Sequence, residues 1–310
     1  MKENNKERYP LVSILIPTYN RPHYFELALT SALQQTYPNI EILVGDDSSN
    51  EDTVNLVQSK YLSTHSNITL IRNQRTLGLL DNNLSLFEKA NGEYINYLMD
   101  DDLFYPEKIE KMMAYLLNDH NEEISLVTSY RNLINENGIS LPEGQLNQKI
   151  SETDTIASGI EIGNQILMNC HNYIGEPTTP LFRKKDLTEP FGTLRGRRYT
   201  FSVDMASWIL LLSRGNIAYI SEPLSCFRLH RDQQLQSYMK QVDGIEDLTH
   251  LVVTAKQYGF LQQKEEWEQA LIEALNWIKK GFHYYRKDKT GITNRLFQCQ
   301  ELVHIELSSL

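Results

Sequence analysis

The sequence predicts an α/β protein with a mostly parallel sheet that helices cover on both faces. Short apolar segments alternate with amphipathic helical segments through roughly residues 10–130, which is typical of successive strand–helix units. The 310-residue chain is 41% hydrophobic and 23% charged, which suits one large domain, or a domain of about 220 residues with an appendage. The most polar segments, PTYNR, GDDSS and DDD, directly follow three of the apolar segments. Ligands bind beyond the carboxyl ends of strands in such sheets, so these segments mark the expected site.

Four strand–helix pairs follow one another in this region. The first helix carries Phe25, Leu29 and Leu33 at one-turn spacing, the pattern of a helix with one apolar face. The fourth helix has Pro106 in its first turn with Glu107 beside it, which favours a helix start. The predicted strands are residues 11–17, 40–45, 68–73 and 93–99, and the predicted helices are residues 23–36, 52–62, 78–90 and 106–118.

The remainder of the chain is predicted to be less regular and then helical. From about residue 120 the sequence favours a hairpin around NENG, helices over 156–169 and 203–215, and a strand over 217–220. The segment 236–310 has a helical pattern throughout. We therefore expect a main domain over residues 1–235 and a helical appendage over residues 236–310.

Charge and composition exclude several classes of protein. The formal net charge is −10 and the pI is near 5.3, so nucleic acid is not an expected partner. No apolar run approaches the ~18 residues that span a bilayer, and the polar start MKENNKERYP does not read as a secretory signal. Cys170, Cys226 and Cys299 are widely spaced, which indicates reduced thiols and a cytoplasmic protein.

The triplet Asp100, Asp101 and Asp102 needs a physical explanation. Like charges this close repel by about 1 kcal/mol per pair even in water. One interpretation is a solvated loop in which Asp102 favours the start of the following helix. The other is a site for Mg²⁺ or Mn²⁺, which proteins bind through one or two carboxylates together with ligand phosphates. A metal ion would also let an acidic protein hold an anion.

The segment GDDSS at residues 45–49 is a second polar strand end. Its carboxylates could accept hydrogen bonds from a base N–H or from ribose hydroxyls; the alternative is an Asx turn that leads into the helix at 52. Neither a G-x-G-x-x-G segment nor a Walker A segment occurs in the sequence. A dinucleotide-binding fold is therefore disfavoured.

Two long stretches resemble the family 2 glycosyltransferases of the GT-A fold. They are VSILIPTYNRPHYFELALTSALQQTYPNIEILVGDDSSNEDT, and LGLLDNNLSLFEKANGEYINYLMDDDLFYPEKI. The likeness runs through most of residues 10–235. It implies a GT-A, Rossmann-like sheet with a nucleotide-binding half at about 10–130 and an acceptor half at about 131–235. It also implies an inverting enzyme that moves a sugar from a nucleotide-diphosphate sugar, UDP-linked by expectation, to an acceptor hydroxyl of a glycan, a glycoprotein or a lipid-linked saccharide.

The resemblance assigns donor-side roles position by position. Arg21 follows the loop that lines the nucleotide, and Asp47 matches the Asp that recognises uracil. Asp101 matches the ligand of Mn²⁺ or Mg²⁺, and Asp100 a ribose contact or second metal ligand. Met99 stands where the commoner motif has its first Asp. The other matched donor positions are Pro17, Thr18, Tyr19, which could stack on the base, Asn73 and Asn82.

The acceptor-side matches lie in the second half of the chain. Asp204 matches the catalytic base, with Trp208 one turn further on, although Val203 replaces the usual neighbouring Glu. Glu176 lies in GEPTTPLFRKKDL, which is similar to the acceptor-side region. In PLSCFRLHRDQQLQS, Arg228 and His230 match residues that reach the diphosphate or the metal, and a buried structural histidine is the alternative for His230.

Other functions remain open at this point. A non-catalytic sugar-nucleotide-binding or scaffolding subunit would explain Met99 and Val203. A nucleotidyltransferase would need a glycine-rich, basic loop after the first strand, and PTYNRPHYF is not one. The segment 267–289 has an apolar helical face that either packs inside the protein or docks on a membrane surface or a partner. The second option would place the protein peripherally at the inner face of the membrane.

Overall fold

The computed structural model describes residues 9–230, 238–285 and 291–310. The chain divides into two units, which we describe separately. The sheet unit contains the chain up to Ile156, with Tyr173–Phe191 and Asn216–His230. The helical unit contains Ala157–Asn172, Gly192–Gly215 and the described residues after His230. The boundary expected near residue 235 lies outside the described residues.

A nine-stranded mixed sheet forms the centre of the sheet unit. The strands are β1 (Val12–Thr18), β2 (Ile40–Asp46), β3 (Ile68–Arg72), β4 (Tyr94–Tyr97), β5 (Leu103–Phe104), β6 (Ile124–Asn135), β7 (Thr155–Ala157), β8 (Leu181–Arg183) and β11 (Asn216–Leu229). They run in the order β3-β2-β1-β4-β8-β6-β11-β5, and β7 also pairs with β11. Strands β1 to β4 pair in parallel, as do β6 and β11, whereas β8 and β5 pair antiparallel with their neighbours.

The strand–helix alternation predicted for the first part of the chain is confirmed. Every residue of β1 is buried, as its mostly apolar sequence predicts for a strand covered on both faces. Phe25 and Leu29 on α1 and Met112 on α4 belong to the apolar core with β1 and β2. The helices of this unit are α1 (Pro22–Leu33), α2 (Asp52–Lys60), α3 (Leu79–Lys89) and α4 (Lys108–Asn118).

The irregular middle of the chain differs from its prediction in one main respect. The strand expected at 217–220 is the start of β11, which continues to Leu229 alongside β6. The register shifts around Pro223, because proline has no amide to donate to the ladder. The turn expected around NENG is present, with the amide of Asn135 bonded to the carbonyl of Ile139. The extension of β11 brings Arg228 and His230 to the end of the sheet that the site uses.

Five helices and a two-stranded ribbon are described in the helical unit. The helices are α5 (Gly159–Asn169), α6 (Val203–Leu212), α7 (Tyr238–Thr254), α8 (Lys264–Tyr285) and α9 (Ile292–Ser308), and the ribbon pairs β9 (Thr193–Leu194) with β10 (Arg197–Arg198). Helix α8 packs against α5, α7 and α9, and α5 packs against α6. The unit therefore combines the C-terminal helices with two helices from the middle of the chain. The sequence pattern predicts a helical appendage of residues 236–310 only.

The apolar face predicted for residues 267–289 is largely buried within the helical unit. Trp267, Leu271 and Ile278 on α8 are each at most 1% exposed, as expected for an amphipathic helix that packs on its neighbours. Residues 286–289 of the predicted segment lie outside the described residues. No helix among the described residues is long and apolar enough to cross a membrane.

His250 on α7 gives the helical unit an expected pH dependence. Burial, with the charges of Arg197 and Arg195, lowers the pKa of His250 to about 4. The unfolded chain takes up this proton as the pH falls through 6.5, whereas the folded protein resists it until pH 4. The free energy of unfolding should therefore decrease between pH 6.5 and pH 4, by about 1–2 kcal/mol after solvent screening of the half-buried ring.

The His250→Asn variant should lose this pH-dependent decrease in the free energy of unfolding. It keeps a hydrogen-bond acceptor for Tyr199, whose hydroxyl lies 2.5 Å from His250 Nδ1. Denaturant unfolding at pH 7 and at pH 4.5 measures the difference. Because other groups titrate in the same range, the change in the free energy of unfolding between the two pH values is compared between wild type and the variant. Equal changes in the two proteins would contradict the prediction.

Candidate active site

The loops after β1 and β2 are fastened to each other at the carboxyl edge of the sheet. The amide of Asn20 donates to Ser48 Oγ at 2.9 Å, and its side-chain carbonyl accepts from the amide of Ser49 at 2.9 Å. Asn20 has φ of +54°, a left-handed conformation that asparagine tolerates better than most residues. This residue was missed by the sequence analysis, although an Asn directly after a strand is a known turn signal. The contact fixes the separation of two loops that hold predicted donor-binding residues.

Asp47 has a rigidly held carboxylate in the second of these loops. Its Oδ1 accepts from the amide of Leu77 at 2.8 Å and from Asn73 Nδ2 at 3.0 Å, and its Oδ2 accepts from the amide of Gly78 at 2.8 Å. A carboxylate offers about four acceptor positions, so these bonds take three of them. Asp47 is only 4% exposed. It is therefore preorganised, with room for one further donor.

Asn73 and Asn82, both predicted on the donor side, belong to the support of this carboxylate. Asn73 Nδ2 also donates to Asn82 Oδ1 at 3.1 Å, and Asn82 Nδ2 donates to the carbonyl of Gly45 at 2.7 Å. Asn82 is nearly fully buried. Both amides thus serve contacts within the protein and hold Asp47 between β2 and α3.

The Asp triplet lies at the same edge and contacts the first loop directly. Arg21 Nη1 lies 2.8 Å from Asp101 Oδ2 and 3.4 Å from Asp100 Oδ1. The amide of Tyr19 donates to Asp100 Oδ2 at 3.3 Å, and His230 Nε2 lies 2.9 Å from Asp101 Oδ2. The sequence prediction that these segments meet is confirmed. The Tyr19 side chain is half exposed beside them.

Asp102 has a different environment from its two neighbours. It is fully buried, with Thr178 Oγ1 donating to its Oδ2 at 2.5 Å and the amide of Arg228 donating to its Oδ1 at 3.0 Å. Thr178 Oγ1 also accepts from the amide of Met99 at 3.1 Å. Asp102 therefore ties the triplet both to β11 and to the segment before β8. The strand β5 separates it from α4, so it does not cap that helix.

Arg228 supports the turn from the other side. Its Nε donates to the carbonyl of Asp101 at 2.7 Å, and its Nη1 donates to the carbonyl of Asn135 at 3.1 Å. The guanidinium is buried and its central carbon lies 4.9 Å from the ring centre of Tyr24, which in turn lies 5.4 Å from the ring of His230. These contacts position Arg228 and His230 around Asp101. The expected contact of Arg228 with a diphosphate stays a prediction.

Crowding of buried acids raises two carboxyl pKa values at this edge. Burial, and then the charge of Asp101, raises the pKa of Asp100. The same two causes, with the charge of Glu176, hold the pKa of Asp102 well above its usual range. A bound cation would favour the charged forms of both acids.

The donor set suits a divalent ion that brings its own further ligands. Among the described residues, no group of three or more His, Cys, Asp or Glu side chains is arranged to hold a metal ion. Mg²⁺ and Mn²⁺ need fewer protein ligands where phosphate oxygens complete their shell. Asp101 and His230, in contact at 2.9 Å, are two side chains that could belong to such a partial set.

The segment before β8 contains two further buried contacts. Lys108 on α4 is fully buried and its Nζ donates to the carbonyl of Thr179 at 2.6 Å; burial holds the pKa of Lys108 well below its usual range. Glu176, predicted on the diphosphate or acceptor side, pairs with Arg131 Nε at 2.7 Å and accepts from Thr179 Oγ1 at 2.8 Å. Within the sheet unit, Glu176 therefore braces this segment.

Replacing Thr178 tests how strongly Asp102 depends on its hydroxyl. In the Thr178→Val variant a buried carboxyl and the amide of Met99 lose their partner, so the free energy of unfolding should decrease by about 1–3 kcal/mol. The Thr178→Ser variant keeps the hydroxyl and loses one methyl group, which costs about 1 kcal/mol. Chemical denaturation of the two variants gives the comparison. If valine proves no more damaging than serine, the hydrogen bond to Asp102 contributes nothing measurable.

The predicted base lies in the helical unit. Asp204 is the second residue of α6, where a carboxylate is favoured by the helix dipole. Its Oδ2 accepts from Asn172 Nδ2 at 2.8 Å and its Oδ1 from the amide of Met205 at 2.8 Å. Trp208, one turn further on, is completely buried and belongs to the core of this unit. Asn172 was not predicted, because a single asparagine in a loop carries no sequence signal.

The predicted site residues therefore separate into two groups. Those that belong to the sheet unit are Pro17, Thr18, Tyr19, Arg21, Asp47, Asn73, Asn82, Asp100, Asp101, Glu176, Arg228 and His230. Asp204 and Trp208 belong to the helical unit. Within the first group, Arg21, Asp100, Asp101 and His230 contact one another near the ends of β1 and β4, and Asp47 follows the neighbouring strand β2. This is where an α/β sheet binds its ligand.

Comparison with known proteins assigns this arrangement to a class. Residues 13–189, more than half of the chain, match the family described as Glycosyl transferase family 2. The chain belongs to this family and is a glycosyltransferase. The crystal structure of S. aureus TarS 1-349 in complex with UDP-GlcNAc has a TM-score of 0.66 at 18% identity, over 93% of this chain and 79% of that chain. This likeness confirms the predicted GT-A fold. The chain spans about half, 47%, of the longer TarS chain.

Two curated relatives resemble the chain over most of its length. An uncharacterised glycosyltransferase of Rickettsia typhi is 29% identical over 88% of this chain and 78% of its own. The UDP-Glc:alpha-D-GlcNAc-diphosphoundecaprenol beta-1,3-glucosyltransferase WfgD of Escherichia coli is 30% identical over 72% of this chain and 78% of its own.

Proposed function

We propose that the protein is an inverting, metal-dependent glycosyltransferase that moves a sugar from a UDP-sugar to a saccharide hydroxyl. The observation that carries the proposal is the meeting of Arg21, Asp100, Asp101 and His230 beside Asp47 at the carboxyl edge of the sheet, in a chain of this family. Two relatives support a UDP-linked donor, one by its name and one by its bound ligand.

The nucleoside would lie along the loops after β1 and β2. The remaining acceptor position of Asp47 suits the N–H of uracil, which offers one donor in the plane of the ring. The half-exposed ring of Tyr19 offers a face for stacking on the base. Asp100, held by the amide of Tyr19 and by Arg21, would accept from a ribose hydroxyl.

Asp101 and His230 would hold Mn²⁺ or Mg²⁺, with Asp100 as a further ligand. When bound, the ion neutralises the charge that develops on the leaving diphosphate. Arg21 contacts the same oxygen of Asp101 that His230 contacts. We therefore infer that Arg21 is the protein's own counter-charge at this position, and that it turns to the diphosphate when a donor binds.

Asp204 would act as general base. Its carboxylate would take the proton from the acceptor hydroxyl as that oxygen attacks C1 of the sugar opposite the diphosphate. One displacement at an α-linked donor gives a β-glycoside. WfgD, as its name states, forms a beta-1,3 linkage on a diphosphoundecaprenol-linked sugar. A lipid-linked or other saccharide acceptor, used at the inner face of the membrane, is the corresponding proposal here.

The test is a panel of nucleotide sugars assayed for release of UDP with and without Mn²⁺. We expect one UDP-sugar to be turned over only with the metal, and its transfer to a saccharide acceptor to give the β-anomer. A protein that binds UDP-sugars but releases no UDP with any acceptor would instead be a sugar-nucleotide-binding or scaffolding subunit. A retained α-linkage in the product would contradict single displacement.

A further inference from the structure

One face of α7 lies against the short segment 199–202 that leads into α6. Gly244, Asp247 and His250 are spaced three residues apart, which places them on one side of the helix. His250 Nδ1 lies 2.5 Å from the hydroxyl of Tyr199. A Cβ added to Gly244 would come within 2.8 Å of the ring of Phe201, so the two elements approach closely there. The helix and this segment therefore meet along three successive positions.

Asp247 makes the densest of these contacts. Its Oδ2 accepts from three successive amides, those of Thr200 at 3.0 Å, Phe201 at 2.9 Å and Ser202 at 3.1 Å. Its Oδ1 accepts from Arg197 Nη2 at 3.1 Å. The carboxylate is 1% exposed, so these bonds are shielded from water. Three bonds from consecutive amides to one oxygen leave this stretch of backbone little freedom.

The segment fixed in this way determines where α6 begins. Ser202 is the N-cap residue of α6 and its side chain makes no capping hydrogen bond. Asp204 follows two residues later, with Asn172 holding its carboxylate from another loop. A shift of residues 200–202 would therefore move the first turn of α6, and Asp204 with it, away from Asn172.

We propose that Asp247 is a positioning residue for Asp204. The C-terminal helices thereby serve the reaction by fixing the start of the helix that carries the base. The proposal rests on the proposed function of Asp204. It assigns Asp247 no contact with substrate; Asp247 acts through the backbone of 200–202 alone.

The experiment compares Asp247→Ala and Asp247→Asn with a matched control on the same helix. Arg295 on α9 pairs with Asp243 and Glu246 of α7, at 2.6 Å each, and does not contact residues 199–202. The Arg295→Gln variant therefore removes contacts of α7 that do not involve the segment 199–202. All variants are melted to compare stability, and kcat and the KM for the UDP-sugar are measured with Mn²⁺ at a temperature well below every melting point.

We expect Asp247→Ala to lower kcat by about 10- to 100-fold with the donor KM within about twofold, since small misplacements of a reacting group have effects of this size. Asp247→Asn keeps one acceptor oxygen and should lose less. Arg295→Gln should keep kcat within about twofold at a comparable loss of stability. The positioning role is overturned if Asp247→Ala and Arg295→Gln lose kcat in the same proportion to their loss of melting temperature. It is also overturned if Asp247→Ala retains wild-type kcat.

Gly244→Ala repeats the test should Asp247→Ala fail to fold. Its new methyl group would lie 2.8 Å from the ring of Phe201, so we expect the ring and the segment that carries it to move while the carboxylate of Asp247 stays in place. It should lower kcat, again without a change in the donor KM, and an unchanged kcat counts against the proposal. Asp204→Asn is assayed in parallel: if it retains transfer, the base assignment itself is wrong, whereas an inactive Asp204→Asn beside a fully active Asp247→Ala refutes only the positioning role.

Discussion

Asp101→Asn should abolish metal-dependent binding of UDP and lower the rate of UDP release by about 10²-fold or more. The substitution keeps the shape of the side chain and removes the negative charge that a divalent cation requires. It also removes the carboxylate that would hold the ion together with His230, and leaves only His230 and Asp100 of the proposed ligands. Loss of a single electrostatic stabiliser of a developing anion typically costs about 10²–10³-fold in rate.

Calorimetric titration of UDP into wild type and variant, with and without Mn²⁺, measures the binding part of this prediction. Glu88→Gln is the matched control, because Glu88 is an exposed carboxylate in the same unit, in the last turn of α3 and at the other end of that helix from the contacts of Asp47. Tight, Mn²⁺-dependent UDP binding by Asp101→Asn would refute the metal role of Asp101. Binding lost equally in both variants would indicate a general effect of charge.

The folded state of the variant should be at least as stable as that of wild type without ligand. Asp101 raises the pKa of both Asp100 and Asp102 through its charge. Removing that charge relieves the repulsion, although it also weakens the ion pair with Arg21. A functional loss together with an undiminished free energy of unfolding is the pattern of a site that stores unfavourable electrostatics for a ligand.

The position of the candidate donor site was predictable from the sequence because parallel strands bring their carboxyl ends together. Once PTYNR, GDDSS and DDD are placed after neighbouring strands, their meeting follows from topology. The contact of Arg21 with Asp101, 80 residues apart in the chain, is a direct result. The roles of individual residues needed the family resemblance, since one aspartate in a loop is chemically like any other.

The residues that hold the Asp triplet in place could not be predicted in the same way. Thr178 contacts Asp102 across 76 residues, and Lys108 contacts the carbonyl of Thr179 across 71. A buried threonine or lysine has no sequence pattern that announces its partner, because the contact is decided by tertiary packing. The backbone contacts of Arg228 were not predictable either. Its guanidinium bonds the carbonyls of Asp101 and Asn135, and this placement follows from the continuation of β11 past Pro223.

For a similar physical reason, the sequence could not show that the helical unit is assembled from separate segments of the chain. Helical periodicity identifies an apolar face but not the element that covers it. The C-terminal helix α8 is covered in part by α5, about 100 residues earlier in the chain, where Asn164 bonds both the amide of Leu261 and Glu266. A unit assembled from separate segments leaves no composition change at its boundary. Only the contacts reveal that the helix of Asp204 belongs with the C-terminal helices.

Asp204→Asn is the second substitution with a large expected effect. General-base assistance typically contributes about 10²–10⁴-fold, so transfer should fall by that range while donor affinity changes little. The amide is isosteric, but its single oxygen can keep only one of the two bonds that Asp204 accepts from Asn172 and from the amide of Met205. The free energy of unfolding of the variant is therefore measured beside that of wild type, to verify that α6 keeps its start. The loss would then report proton abstraction and not a displaced helix.

The assay separates the base from the donor site by measuring two quantities on each variant. Transfer to the acceptor should fall in Asp204→Asn, whereas Mn²⁺-dependent UDP affinity should match that of wild type. Asp101→Asn, in contrast, is expected to lower both quantities. Glu265→Gln, at an exposed carboxylate in the first turn of α8, controls for charge within the same unit and should leave both quantities unchanged. Near-normal transfer by Asp204→Asn would assign the base to another residue. A matching fall in UDP affinity would mean that Asp204 acts on the donor, since a base for the acceptor hydroxyl has no reason to alter how the nucleotide is held.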